Sequence, residues 1–155
     1  MSLFLKDINL KGKTALITGA TKGLGRGTAQ AIAEAGGDVI AIGRNQNELN
    51  SLGKIIKKLR VKYVPFNCDV NNFNRIKSFI SKLKKLDILI NNAGTNIPES
   101  FLNVKKSSLE TLLNVNTKSA FNIAQLCANQ IIRLKRKQGS IINISSIFGL
   151  VAGQK

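Results

Sequence analysis

The stretch "TALITGATKGLGRG", residues 14–27, runs from apolar, β-branched residues into a loop with glycines at 19, 23, 25 and 27 and then into a helical pattern. A strand, a glycine loop and a helix in that order set backbone N–H groups at a helix N-terminus, where a phosphate could meet them. Two common loops of this kind do not fit. A Walker A loop counted from Gly19 needs a second glycine where Leu24 stands. A G-x-G-x-x-G/A loop begun at Gly23 and Gly25 reaches Thr28. What is present is T-G-x-x-x-G-x-G, carried by Thr18, Gly19, Gly23 and Gly25. Alone, it equally describes a tight strand-to-helix turn that binds nothing.

Outward from this stretch, short apolar runs alternate with helical patterns, the rhythm of a doubly wound parallel α/β sheet. Strands are predicted at "TALIT" (14–18), "VIAI" (39–42), "VKYVPF" (61–66), "DILI" (87–90) and "SIINIS" (140–145). Helices are predicted over 25–35, from Asn45 as N-cap to Leu59, and over 74–83 with Ile76, Phe79, Ile80 and Leu83 on one face. A Ser107–Glu110 capping box opens a fourth, long helix to about Lys137. Its buried stripe is expected to include Leu109, Leu113, Asn116, Ile123, Cys127 and Ile131. No repeat, linker or low-complexity segment divides the chain, so residues 1–155 read as a single domain.

Composition narrows the classes. With 155 residues, 43% of them hydrophobic, the chain can bury one ordinary core. The opening "MSLFLKD" has charges too early for a signal peptide and no stretch reaches membrane-span length, so the expectation is a cytoplasmic protein with no membrane partner. Cys68 and Cys127 stand apart, and no histidine exists anywhere in the sequence, which excludes a Ser-His-Asp triad and gives no metal signature. The net charge of +16 invites a nucleic-acid reading. Against it, the basic residues flank apolar positions as solvated helix faces would, and aromatic interleaving is missing. The 19 Ile, 18 Lys and 17 Asn, with Lys outnumbering Arg 18 to 6, suggest a bias acting on the whole chain rather than one basic patch.

Four more motifs join the glycine loop: "CDV" (68–70), "NNAG" (91–94), "NVNTKSAF" (114–121) and "NISSIFG" (143–149). In order and spacing they resemble the short-chain dehydrogenase/reductase family, gluconate dehydrogenase-like and 3-oxoacyl reductase-like members above all, over essentially the whole chain. The resemblance implies a Rossmann-like doubly wound sheet, with about five of the usual seven strands present, and an NAD(P)-dependent oxidoreductase. Gly19, Gly23, Leu24 and Gly25 would then wrap the cofactor pyrophosphate, Asp69 and Val70 would contact the adenine, and Asn92, Ala93 and Gly94 would line its ribose side. Asn91 would be a structural link between strands. Asn116 would hold a proton-relay water and Ser146, three residues before Gly149, would hydrogen-bond the substrate oxygen.

The end of the second strand bears on the cofactor's phosphate. A carboxylate there would repel a 2′-phosphate, but the position holds Gly43, followed by Arg44. With Lys22 as a second cation, the expectation is NADP, with NAD possible. The family's tyrosine and lysine, spaced Y-x-x-x-K, would begin about thirteen residues after the serine, past Lys155, where the tyrosine serves as general acid/base. The chain therefore reads as the N-terminal portion of such an enzyme, inactive alone, its full-length form a homo-oligomer acting on a small carbonyl or alcohol substrate such as a sugar acid. A non-catalytic dinucleotide-binding fragment and a basic nucleic-acid binder are the alternative readings.

Overall fold

The computed structural model describes residues 8–146. Along them alternate β1 (Thr14–Thr18), α1 (Gly23–Glu34), β2 (Asp38–Gly43), α2 (Gln46–Lys57), β3 (Tyr63–Asn67), α3 (Phe73–Ser81), β4 (Ile88–Asn91), α4 (Lys106–Leu113), α5 (Ser119–Arg133) and β5 (Ser140–Asn143). A π-helical turn, Asn114–Lys118, joins α4 to α5. All neighbouring strands are parallel, in the order β3-β2-β1-β4-β5. The chain builds outward from β1 through β2 to β3, then returns to the other side of β1 for β4 and β5. The reversal leaves a crevice at the carboxyl ends of β1 and β4, the place where open α/β sheets bind ligands.

The inner strands are continuously apolar because both faces of the sheet are covered. Successive side chains point to opposite faces, and the packing follows that alternation. Ala15, Ile17, Val39, Ala41 and Ile90 meet Ala29 and Ala33 of α1 and Leu49, Leu52 and Ile56 of α2 on one face. Leu16, Ile40, Ile42 and Leu89 meet Ile76 and Ile80 of α3 and Ile123, Cys127 and Ile131 of α5 on the other. Phe79 and Leu83 pack at the margin of that second layer, as their spacing predicted. Both cysteines are buried and free, and burial pushes the Cys127 thiol up to about 12, which leaves it a small hydrophobe rather than a nucleophile.

Several boundaries shift. Asn45 caps α2 as expected, its side chain accepting from the Asn47 and Glu48 N–H groups. The third strand starts at Tyr63 rather than 61, because Arg60 takes a left-handed φ of 58° and residues 61–62 belong to the connection. The long helix ends at Arg133, where Lys135 adopts φ 51° and the Arg136 N–H closes onto the Ile131 carbonyl. At its other end there is no Ser107–Glu110 box. The helix begins at Lys106, and the Glu99 carboxylate accepts from the Lys105 N–H and the Ser108 hydroxyl. Among the described residues, no helix is long and apolar enough to cross a membrane.

Below the sheet, at the amino ends of the strands, Asp87 is 2% exposed. It accepts from the Thr14 N–H at 2.9 Å and pairs with the Arg136 guanidinium at 2.5–2.8 Å, tying β1, β4 and the approach to β5 together. On the outer strand, Tyr63 packs where a side chain at Gly53 would stand, and its hydroxyl donates to the Leu49 carbonyl at 2.7 Å. Burial raises its pKa to about 12, with Arg26 opposing. Because Tyr63 is the sole tyrosine of the sequence, its ionisation is directly visible by ultraviolet absorbance. The protonated form is favoured in the folded state, so this contribution to stability is complete below the unfolded pKa and is lost as pH rises from about 10 to 12. A spectrophotometric titration should give a midpoint near 12 in the folded chain and one near about 10 in denaturant; identical midpoints would contradict the packing.

Candidate functional site

The glycine loop closes over the carboxyl end of β1 by backbone geometry that side chains would obstruct. Gly19 and Gly23 take φ of 63° and 53°, in the left-handed region that glycine enters at no steric cost. Gly25 is normal in φ, but a Cβ there would run into the Gly19 carbonyl oxygen and the Asn92 amide nitrogen. The loop can therefore fold back onto the first turn of α1. Lys22, at the cap position, contributes no side-chain acceptor, so its cap leaves the leading N–H groups of α1 facing the loop's opening.

A second loop braces the first. The buried Thr18 hydroxyl accepts from the N–H groups of Asn92 and Ala93, each at 3.0 Å. The Asn92 carboxamide returns the contact, donating to the carbonyls of Thr18 at 3.1 Å and Gly19 at 3.2 Å. Asn92 therefore shapes the loop with its side chain rather than reaching outward with it. Its neighbour Asn91, 5% exposed, donates to the Ala120 carbonyl and the Asn143 side chain, both at 3.0 Å. This is the structural link expected of it, extended to a helix as well as a strand.

Above the two loops opens a cleft of about 950 Å³. Gly19, Lys22, Gly23, Leu24, Arg44, Asp69, Val70, Asn92, Ala93 and Gly94 all line it, and Gly25 lies beneath as packing. Sequence reasoning missed Thr21, Asn67 and Thr95, which also line it. The Thr21 methyl fills the space a Cβ on Gly43 would need, a contact between distant loops that no local pattern signals. At the far end, the exposed Arg44 guanidinium lies 3.7 Å from an Asp69 carboxylate oxygen, whose partner oxygen accepts from the Asn71 N–H at 2.8 Å. An ion pair this long and open to water contributes little and yields readily to a better partner.

Two expected residues lie elsewhere. The helical pattern puts Asn116 on the buried stripe of the long helix, but it is exposed, as are Leu109 and Leu113. The reason is that α4 packs mainly against the neighbouring π turn; Ser108 is its one buried residue, and burial resumes only at Ser119 and Ile123. Asn116 sits within that turn and clasps the Thr95 backbone, accepting from its N–H at 2.8 Å and donating to its carbonyl at 2.9 Å. Ser146 is solvent-accessible beyond the carboxyl end of β5 and is not part of the cleft lining. Gly149 lies outside the described residues.

The brace makes a measurable claim. Thr18→Val keeps the shape of the side chain but removes the acceptor shared by two N–H groups, and it should lower the unfolding free energy by about 1–3 kcal/mol. Thr18→Ser should retain most of the stability. Urea denaturation of the three proteins tests this, and a Val variant as stable as the parent would show that the clamp is not holding the loops.

Comparison with known proteins agrees with the motifs and topology. A short chain dehydrogenase family profile matches residues 13–155. The chain is 34% identical over 147 residues to the 3-oxoacyl-acyl-carrier-protein reductase FabG of Thermotoga maritima, covering 92% of this chain and 59% of that protein. It is 34% identical over 154 residues to the 2-dehydro-3-deoxy-D-gluconate 5-dehydrogenase of Bacillus subtilis, covering 97% and 59%. Among solved structures, carveol dehydrogenase from Mycobacterium avium in complex with NAD superposes with a TM-score of 0.85 at 26% identity, covering 94% of this chain and 58% of that one. The chain thus spans somewhat under three-fifths of the length of these relatives. With the glycine loop, the sheet order and the profile in agreement, the chain belongs to the short-chain dehydrogenase family.

Proposed function

We propose that the cleft at the carboxyl edge holds a nicotinamide dinucleotide, and that the chain is part of an oxidoreductase acting on a carbonyl or alcohol substrate. The observation that carries this reading is the convergence on one cleft of the uncapped start of α1, a glycine loop with no room for side chains, and the Arg44–Asp69 end of β2 and β3. These residues fit the group. Gly19, Gly23, Leu24 and Gly25 would hold the pyrophosphate with backbone N–H groups, Asp69 and Val70 would meet the adenine, and Asn92, Ala93 and Gly94 would line the ribose side. A bound nicotinamide supplies the hydride chemistry; the chain's part is to bind and orient. The NAD in the carveol dehydrogenase complex supports this class of cofactor.

NADP is the preferred form in this reading. Nothing acidic ends β2, and the Arg44 guanidinium, loosely held by Asp69, is free to form a bidentate pair with a 2′-phosphate. Lys22 adds a second exposed cation on the cleft wall. Ser146 is the residue we assign to the substrate oxygen. Asn116 is better described as a positioning residue, since both ends of its carboxamide are committed to Thr95 on the cleft wall. For the substrate, the run "NNAGTNIPESF" favours a sugar acid over a 3-oxoacyl thioester, and the relatives include a protein named for each.

Turnover needs a proton donor that these 155 residues do not supply. Tyr63, the sole tyrosine, starts β3 away from the cleft, donates its hydroxyl hydrogen bond to the Leu49 carbonyl and has its pKa pushed up to about 12. The chain by itself should therefore bind a dinucleotide without catalysing hydride transfer, which is also the expectation of the simpler reading as a non-catalytic dinucleotide-binding fragment. The two part when a segment carrying Y-x-x-x-K is appended. In the oxidoreductase reading turnover appears, and Ser146→Ala then lowers kcat by about two orders of magnitude with cofactor affinity unchanged.

Calorimetric titration with NADPH and NADH tests the cofactor assignment. The unaltered chain should prefer NADPH, and Arg44→Ser should weaken NADPH by about tenfold while leaving NADH nearly unaffected. Reversing the preference requires room as well as charge. Thr21→Ser combined with Gly43→Asp and Arg44→Ser removes the obstructing methyl, leaving the new Cβ 3.5 Å from the residue 21 Cβ, and should favour NADH. Equal affinities in the unaltered chain would overturn the assignment.

A further inference from the structure

The fold sorts the positive charge in a way the linear sequence conceals. Because every strand is parallel, all strands begin at one edge of the sheet, opposite the cleft. Into that edge run "KGK" (11–13) before β1, "KKLRVK" (57–62) before β3, "KLKK" (82–85) before β4 and "RLKRK" (133–137) before β5. These four segments hold thirteen of the 24 Lys and Arg residues. Many of the cations read from the sequence as solvated helix faces are thus gathered in loops and helix ends on one side. Among the described residues, the carboxylates on that side are Glu34, Asp38 and Asp87. Asp87 is consumed by Arg136 and the Thr14 N–H, and Asp38 accepts from the Lys62 N–H.

Lysines near helix C-termini complement the helix dipole, which accounts for some of these residues. It does not account for Lys11, Lys13, Lys62 or Lys85, which lead into strands. Nor are the lysines used internally. Two of the three arginines in these segments, Arg133 and Arg136, make contacts within the fold, whereas none of the ten lysines is in an ion pair with a described carboxylate. Parallel strands lie about 4.8 Å apart, so five strand starts make a band about 19 Å across, with helices extending it on both sides. Exposed aliphatic side chains stand among the charges: Ile8 before β1, Leu59 before β3 and Ile132 at the end of α5, the last 73% exposed.

We propose that the amino edge of the sheet is a docking surface for an anionic membrane. Flexible ammonium groups with interspersed aliphatics, and among the described residues no aromatic side chain exposed beside them, suit a field of lipid headgroups whose positions are not fixed. Among the described residues, base stacking has no exposed aromatic platform at this edge. With the basic edge against the bilayer, the dinucleotide cleft faces away, towards the aqueous phase.

The test is co-sedimentation of the whole chain with phosphatidylcholine vesicles, with and without phosphatidylserine, at low and high salt. Binding should require phosphatidylserine and be lost at high salt. Lys57→Glu/Lys58→Glu and Lys82→Glu/Lys84→Glu, on separate loops, should each weaken it by about tenfold or more. Lys105→Glu/Lys106→Glu, the same charge change at the start of α4, should leave it nearly intact. Circular dichroism melts confirm that each variant is folded, and two independent loops guard against one failing. Binding to neutral vesicles alone, or equal loss from all three variants, would overturn the proposal. So would capture by duplex DNA at a salt concentration where vesicles no longer hold the chain.

Discussion

Thr18 ends β1 with a hydroxyl whose oxygen takes two backbone N–H groups from the run leaving β4. Much of the carboxyl edge depends on that one acceptor. It joins the strands on either side of the topological reversal, where a crevice opens because successive connections diverge. It sets Asn92 so that its carboxamide returns to the Thr18 and Gly19 carbonyls, and that contact occupies the space a Cβ on Gly25 would need. The absence of side chains in the glycine loop is thus a packing requirement of the fold as well as an opening for a phosphate. The same contacts satisfy polar groups that would otherwise be orphaned as the chain leaves the sheet.

Much of this was legible in the sequence, for identifiable reasons. Parallel strands covered on both faces are continuously apolar, so "TALIT" and "VIAI" stand out whatever surrounds them. The glycine loop is legible because a missing Cβ leaves a mark at fixed positions. Misreadings occur where a distant residue decides a local outcome. The helix after the NNAG loop is capped by Glu99 rather than by its own serine. An uninterrupted helical pattern puts Asn116 on the buried stripe, but a π turn interrupts the helix there and the residue is exposed. Gly43 reads as a missing carboxylate, while in the fold it is also room for the Thr21 methyl.

The charge distribution illustrates the same limit on a larger scale. Taken one at a time, "KKLRVK", "KLKK" and "RLKRK" are unremarkable helix ends. Only parallel topology sets them side by side, opposite a cleft whose own ion pair is a loose 3.7 Å contact. The molecule is consequently polarised, with backbone dipoles and a few cations serving the carboxyl edge and a dense band of lysines at the amino edge. Among the described residues, Asp87 is the one deeply buried carboxylate at the base of that band, and it fastens three segments of chain.

The central claim is that a dinucleotide is held by the paired loops at the carboxyl ends of β1 and β4. Amide hydrogen exchange followed by mass spectrometry, with and without saturating NADPH, reads this most directly, because slowed exchange reports which backbone N–H groups a ligand holds. The account predicts protection at 19–25, at 44, at 69–70 and at 92–95, with the lysine-rich segments at 57–62, 82–85 and 133–137 unchanged. Protection confined to those lysine-rich segments, or none anywhere at saturation, would contradict it.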